Sequence, residues 1–189
     1  ILLLSHDSPE DALVKAAALQ GAIFNSPNLS LVATDATGVI QIFSAGAQRM
    51  LGYAEAEVVN QLTPVDISDK GELIARAAAL NVELATPIAP GFAAIVGKAS
   101  RGLEDSFELT HIRKDGSRLP AAVSVRALRD APGDIIGYLL ICIDNTVRHE
   151  AQAEKAKLDQ RLRDQQFYTR SLFEANIDAI MTTDPFGII

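Results

Sequence analysis

Short apolar runs separated by turn residues predict two groups of β-strands in this chain. Leu29–Thr34 and Val39–Phe43 flank the turn residues 35–38, and this arrangement predicts a hairpin. Three later runs have the same character, and the first two flank an Asp-Gly pair at 115–116, which is a strong hairpin signal. These later runs are Phe107–Arg113, Arg118–Leu128 and Ile135–Ile143. The pattern predicts an α+β fold with a five-stranded antiparallel sheet.

Apolar residues at helical spacing predict helices before and between the two groups of strands. Ser8 can cap an N-terminal helix, Pro9 suits its first position, and the pattern continues to Phe24. Between the strand groups the spacing and the breaker residues predict further helical segments. These are Ala45–Leu51, Ala54–Gln61, Pro64–Thr86 and Phe92–Ala99.

The stretch that follows the last strand predicts one long helix. Residues 147–175 contain no proline or glycine, and their first part is rich in strong helix formers. Seven-residue spacing predicts a weak coiled-coil seam with polar interruptions, formed by Ala151, Lys155, Leu158, Leu162, Gln165, Thr169 and Leu172. The alternative is a connector helix that is exposed to solvent on every side.

The end of the chain repeats an earlier segment. Residues 173–189 align without a gap to residues 24–40, at a constant offset of 149 (173 − 24). A repeat at a fixed offset indicates tandem units. We therefore predict an N-terminal flanking helix (1–21), a complete domain (22–146), a coiled-coil-like connector helix (147–175) and the truncated start of a second domain (176–189).

The net charge and the cysteine content argue against several classes of function. The net charge of −7 argues against a nucleic-acid partner. The single cysteine, Cys142, excludes an internal disulfide and a cysteine zinc site, and its apolar surroundings predict a buried thiol in a reducing cytoplasm. No segment reaches the length of a membrane span. The opening residues 1–4 fit either the end of a preceding element or the tail of a membrane helix, so a membrane anchor in the parent protein stays open.

Three local motifs resemble the PAS domain family. Val32-Ala33-Thr34-Asp35 with Gly38-Val39-Ile40 is similar to the family's opening hairpin, and Leu51-Gly52-Tyr53 to the end of its first short helix. Asp144-Asn145-Thr146 is similar to its closing Asp-Ile-Thr. The resemblance covers residues 22–148. It implies a sensory and dimerisation module of the kind found in bacterial multi-PAS signalling proteins, in series before a histidine kinase or a diguanylate cyclase.

The resemblance implies a ligand pocket between the sheet and the helices. The candidate lining residues are apolar and fall on predicted strands and helices: Phe43, Met50, Ile67, Phe92, Phe107, Leu109, Val123, Leu139 and Ile141. The same residues also fit a filled hydrophobic core. His111 follows the alternation of Phe107 and Leu109 and could reach the pocket rim, but a surface or cross-strand position is favoured.

The sequence lacks the residues that bind the known cofactors of the family. Flavin photochemistry would need a reactive cysteine in a helix, whereas Cys142 lies in the last strand. Haem ligation would need a mid-domain histidine, and residues 54–105 contain none. A redox flavin usually has tryptophan contacts, and the chain has no tryptophan. We therefore expect no cofactor and no metal site, while a small organic ligand stays open.

The end of the last strand is the candidate site of signal transmission. Asp144, Thr146 and Arg148 stand where the sheet passes into the long helix, and an Asp or Thr side chain can cap the first turn of a helix. The predicted function is a sensory module that relays a signal through the helical linker to an output domain such as a histidine kinase. The alternatives are a ligand-free dimerisation scaffold and a small-molecule or flavin receptor domain of a diguanylate cyclase.

The segment shows no catalytic residues, although the parent protein could be either of those enzymes. The last strand, 138–143, is apolar on both alternating faces, so its outer face should be covered. The candidates for the cover are the helix 8–24 of the same chain or of a second chain. We expect a homodimer through the flanking helices and contacts with adjacent PAS and output domains.

Overall fold

The computed structural model describes residues 29–181 without a break, and residues 15, 18, 21, 22, 24 and 26 before them. Side chains are described as far as residue 174. Residues 15, 18, 21, 22 and 24 are helical, whereas the predicted helix start at Ser8 and the repeated residues 182–189 lie outside the described residues. The chain divides into two compact units after Thr146.

Five strands of the first unit form one antiparallel sheet, which confirms the predicted architecture. The strands are β1 (Leu29–Asp35), β2 (Ile40–Phe43), β3 (Asp105–Ile112), β4 (Arg118–Arg129) and β5 (Ile135–Asp144). Their spatial order is β2-β1-β5-β4-β3, so the first and last strands are neighbours inside the sheet. The β1–β5 ladder runs from the pair Leu29 and Ile143 to the pair Asp35 and Gly137.

Short helices connect the two groups of strands, and a long helix follows the sheet. They are α1 (Ala45–Leu51), α2 (Glu55–Val58), α3 (Lys70–Glu83), α4 (Phe92–Val96), a 3-10 turn (Ala99–Arg101) and α5 (Thr146–Met181). The Ser44 hydroxyl caps α1 by accepting the Ala47 N–H, and it also accepts the Leu31 N–H from β1. Gly52 ends α1 with a φ of 77°, a conformation that glycine adopts without steric cost.

Helix α3 begins six residues later than the spacing from Pro64 predicted, at Lys70. The preceding residues are held in other ways: Ser68 forms an isolated β-bridge with His111 of β3. Asp69 then caps α3, because its Oδ1 accepts the Glu72 N–H at 2.9 Å. Helical spacing alone could not reveal a bridge to a strand that lies more than 40 residues away.

One face of the sheet packs against the helices and forms the core. Its residues alternate along each strand, as in Val32 of β1, Val123 and Val125 of β4, and Leu140 of β5, which are at most 3% exposed. The helices contribute buried apolar residues such as Leu51 and Leu73 to the same cluster. Burial of this sheet face against the helices supplies the main hydrophobic stabilisation of the first unit.

The prediction that Leu139 and Ile141 face the helices is wrong. They pair with Ala33 and Leu31 of β1, on the opposite face from Leu140 and its core neighbours. Successive side chains in a strand point to opposite faces, so an apolar run cannot show which alternate set is inside. Both residues are half-buried on the outer face, where Ile143 is 51% exposed. The predicted cover, helix 8–24, falls largely on residues outside the described ones.

Helix α5 is longer than the predicted connector, which ended at residue 175. It continues to Met181, into residues that the repeat aligns with the first strand of the domain. In the first copy this strand is held by ladders to β2 and β5. The assignment of residues 176–189 to a second domain stays a prediction. No helix among the described residues has the length and hydropathy to cross a membrane.

Gly46 of α1 gives a direct test of how tightly this unit is packed. A Cβ atom at Gly46 would lie 2.0 Å from the Leu29 carbonyl oxygen and 2.6 Å from that of Ser26. We expect Gly46→Ala to lower the free energy of unfolding by about 1–3 kcal/mol in urea denaturation, because the backbone must shift. Gly71→Ala in α3 is the control, since its Cβ would meet only the Asp69 carboxylate, at 3.1 Å. Equal stability of the two variants would contradict the prediction.

Candidate functional site

Strand β5 passes into helix α5 without an intervening loop. Asp144 is the last residue of β5 and Thr146 the first of α5. The Asp144 Oδ1 accepts the backbone N–H of Thr146 at 2.7 Å. A carboxylate at this place satisfies a free helix N–H and interacts favourably with the positive end of the helix dipole. The side chain of Arg148 is exposed in the first turn of α5.

Asn145, between these residues, ties the junction to two further strands. Its backbone N–H donates to the Pro120 carbonyl of β4 at 2.9 Å. Its Nδ2 donates to Glu108 Oε1 of β3 at 3.0 Å. The residue before α5 is therefore bonded to β3 and β4, while Asp144 of β5 caps the helix itself. The sequence pattern did not single out Asn145, although an amide between a strand end and a helix cap is a usable signal. The role of Asp144, Thr146 and Arg148 in signal transmission stays a prediction.

The other candidate pocket residues divide between a sealed core and its margin. Phe43, Met50, Ile67, Leu109 and Val123 are buried in the core cluster, with exposed fractions from 0 to 9%. Phe92 and Phe107 are half-buried and pack against this cluster. These five residues are buried, and their role as the lining of a ligand pocket stays a prediction. Within the described part of the chain, no group of three or more His, Cys, Asp or Glu side chains is placed to hold a metal ion.

Phe92 of α4 joins the first hairpin to the central strand. Its ring meets the Tyr138 ring edge-on, with centroids 5.5 Å apart. A Cβ atom on Gly38 would lie 2.8 Å from the Phe92 ring, so glycine is needed in this turn for close approach as well as for its φ of 100°. Phe92 thus fixes the β1–β2 turn above β5.

A buried ion pair joins α3 to the first residue of β3. The Arg76 guanidinium donates to both carboxylate oxygens of Asp105, at 2.8 and 2.6 Å, and Asp105 is 5% exposed. Arg76 Nε donates to the Ala94 carbonyl of α4 at 2.8 Å. The guanidinium carbon also lies 3.3 Å from the centroid of the Phe107 ring. One arginine therefore holds two helices against the edge strand.

His111 is buried, with 2% of its area exposed, and it pairs across the ladder with Leu119, so the surface alternative for this residue is wrong and the cross-strand one is right. It shares the inner face with Leu109, and the bridge from Ser68 covers it. The Ser68 hydroxyl donates to the Pro64 carbonyl, so His111 Nδ1 carries the proton and donates to the Ile67 carbonyl at 3.3 Å. Its Nε2 is buried without a hydrogen-bond partner among the described residues. Burial lowers the pKa of His111 below its usual 6.5.

Cys142 lies on the inner face of β5 as a buried, protonated thiol. It is 2% exposed, and burial raises the pKa of its thiol to about 12. A thiol with such a pKa contributes almost no thiolate at neutral pH, so Cys142 packs as a small apolar side chain.

The strand order, the short helices and the strand-to-helix junction are features of one known domain family. A family profile described as PAS domain matches residues 27–147. The chain belongs to the PAS domain family. Solved structures show the same fold at low sequence identity, whereas no curated protein matches the sequence.

Two solved structures illustrate this similarity to other PAS folds. The PAS domain of a Colwellia psychrerythraea protein matches with a TM-score of 0.51 and 17% identity, over 71% of this chain and 97% of that one. An RNA-binding light-oxygen-voltage receptor matches with a TM-score of 0.59 and 17% identity, over 85% of this chain and 41% of the receptor. At these identities the comparison shows the fold alone.

Removing the Arg76 side chain should strongly destabilise the PAS domain. We expect Arg76→Ala to lower the free energy of unfolding by about 3 kcal/mol, because it leaves the Asp105 carboxylate buried without its partner. The matched control is Lys114→Ala, which breaks the ion pair with Glu57 at the surface and should stay close to the wild type. Urea denaturation measures both. A loss for Arg76→Ala no greater than that of the control would refute this role.

His111 should make stability fall as the pH is lowered. The unfolded chain takes up a proton near pH 6.5, whereas the folded chain does so only at a lower pH, because burial depresses the pKa of His111. Protons therefore stabilise the unfolded state in the window just below pH 6.5, and stability recovers above it. His111→Gln removes this dependence. Urea denaturation of both proteins at pH 7.5 and 5.5 should show a larger loss for the wild type, and an identical pH dependence would argue against it.

Proposed function

We propose that this PAS domain relays a signal from its sheet into helix α5, and through α5 to an output domain such as a histidine kinase. The observation that carries the proposal is the junction at Asp144–Thr146. Only Asn145 separates the strand from the helix. Asp144 of β5 caps the helix, and Asn145 is bonded to Glu108 of β3 and Pro120 of β4. A loop would absorb a small movement of the sheet, whereas this junction transmits it.

The two bonds of Asn145 reach different strands, and a change in the core would move these strands by different amounts. Glu108 lies on the edge strand β3, which Arg76 and Phe107 connect to the helices. Pro120 lies on β4, next to β5. A rearrangement among the helices would reach β3 first and change the spacing of these two anchors. The hydrogen bonds that hold Asn145 beside the helix cap then change, which is a conformational readout.

Helix α5 has the dimensions of a relay rod. Its 36 residues span about 54 Å at the usual rise of an α-helix. Leu158, Leu162 and Leu172 lie on the heptad seam and are each about half exposed. We propose that two chains pair along this seam as a parallel coiled coil in the cytoplasm. A second PAS copy and the output domain would follow α5 in the parent protein.

The junction is tested by removing its two side-chain bonds together. Asp144→Ala with Asn145→Ala should leave the melting temperature of the domain within a few degrees of the wild type, because neither side chain belongs to the core. The amides of residues 147–150 should exchange with solvent about 5- to 30-fold faster, since the helix loses its cap. In the full-length protein, the output should no longer respond to its stimulus.

Asp115→Ala is the matched control for this experiment. It removes a similar side-chain bond, from Ser117 N–H to Asp115 Oδ1, in the β3–β4 turn away from the junction. Hydrogen exchange of α5 and the response of the output should both be preserved in this variant. If the output of the double variant still responds to its stimulus, the relay proposal is wrong and a dimerisation scaffold is favoured.

A further inference from the structure

Helix α3 and the loop after it present an exposed surface almost without charge. Residues 77–97 contain a single ionisable side chain, Glu83, which pairs with Lys98 at 2.6 Å. On α3 the exposed residues include two large apolar ones and three alanines. We call the set the α3 face: Ile74, Ala75, Ala78, Ala79 and Val82. Ile74 is 58% exposed and Val82 85% exposed. Contiguous apolar exposure of this kind marks an interaction site.

The α3 face is rigid. The opposite side of α3 is anchored by Leu73, Ala77 and Leu80, which are at most 2% exposed. The following loop is held by the Asn81 Oδ1, which accepts the Ile88 N–H. A Cβ on Gly97 would lie 3.1 Å from the Ile88 side chain, so that side chain is packed into the domain. A preorganised surface loses little entropy when it binds.

We propose that the α3 face binds the α3 face of a second copy of this chain. The two helices would run antiparallel and cross at Ala78. Ile74 and Val82 lie four residues before and after Ala78, one helical turn each, so Ile74 of each copy would pack against Val82 of the other. A two-fold contact requires a surface that complements itself in this way. The alanines let the helix backbones approach closely.

Charge complementarity favours a second copy over other partners. Lys70 is exposed at the first position of α3 and has no ion pair among the described residues. A cation at a helix N-terminus is unfavourable in its own helix dipole. In the antiparallel pair Lys70 lies beside the C-terminal end of the partner helix, where a cation is favourable. The contact also avoids repulsion between two chains of net charge −7, because the α3 face itself carries no charge.

This contact is independent of the proposed relay through α5. It uses α3 of the first unit, whereas the relay uses the junction and the seam of α5. Either proposal can fail while the other stands. A test that reads the α3 contact directly, rather than the total mass of the oligomer, keeps the two apart.

Disulfide trapping across the two-fold axis tests the proposal on the whole chain. Ala78→Cys should form a covalent dimer under mild oxidation, because the Cα atoms at a close helix crossing lie within disulfide range. The only native cysteine, Cys142, is buried and should not react. Ala56→Cys, also an exposed alanine on a helix, is the matched control and should stay monomeric on a denaturing gel.

A charge placed on the α3 face completes the experiment. Val82→Glu added to Ala78→Cys should abolish most of the covalent dimer, since two carboxylates would then face apolar residues of the partner. Val82 is exposed, so the variant should keep the melting temperature of its parent, which checks that it is folded. Equal cross-linking of the Ala78→Cys and Ala56→Cys proteins, or no effect of Val82→Glu, would overturn the proposal. Absence of any cross-link would also overturn it and leave the face to a different protein.

Discussion

The pairing of β1 with β5 is the constraint on which the rest of the domain depends. These strands are separated by about a hundred residues, so the ladder closes the largest loop of the fold. The ladder needs Gly137, because a Cβ there would lie 2.1 Å from the Thr34 carbonyl oxygen. Its register places Leu29 beside Ile143. The first strand therefore begins, and the last strand ends, at the same end of the sheet.

The core that covers this sheet is mainly apolar, and two of its polar contacts differ in character. The Arg76 guanidinium donates to both oxygens of the Asp105 carboxylate, and this pair holds helices to the edge strand. His111 is only half satisfied, with a bonded Nδ1 and an unbonded Nε2. Both lie between the sheet and the segments that cover it. A domain that must respond to its surroundings can keep such polar contacts where its layers meet, because they have discrete alternatives.

Two exposed surfaces of the chain, helix α5 and the α3 face, also differ in character. Most described side chains of helix α5 are exposed, and the helix mixes charges with a sparse leucine seam. The α3 face is short, uncharged and rigid, which suits a fixed contact. Specific association of two acidic chains needs a surface that does not repel its own copy.

The sequence by itself determined the strands, the two hairpins, the α1 boundaries and the long helix. Each depends on a period of two or 3.6 residues, or on turn chemistry such as Asp-Gly, which act over a few neighbouring residues. Asp144 could be predicted as a cap for the same reason. Only the tertiary structure decided that Leu139 and Ile141 face outward, that His111 is buried beneath Ser68, and that Asn145 reaches Glu108. These features depend on which distant segments meet, and local periodicity carries no information about the partner across a ladder.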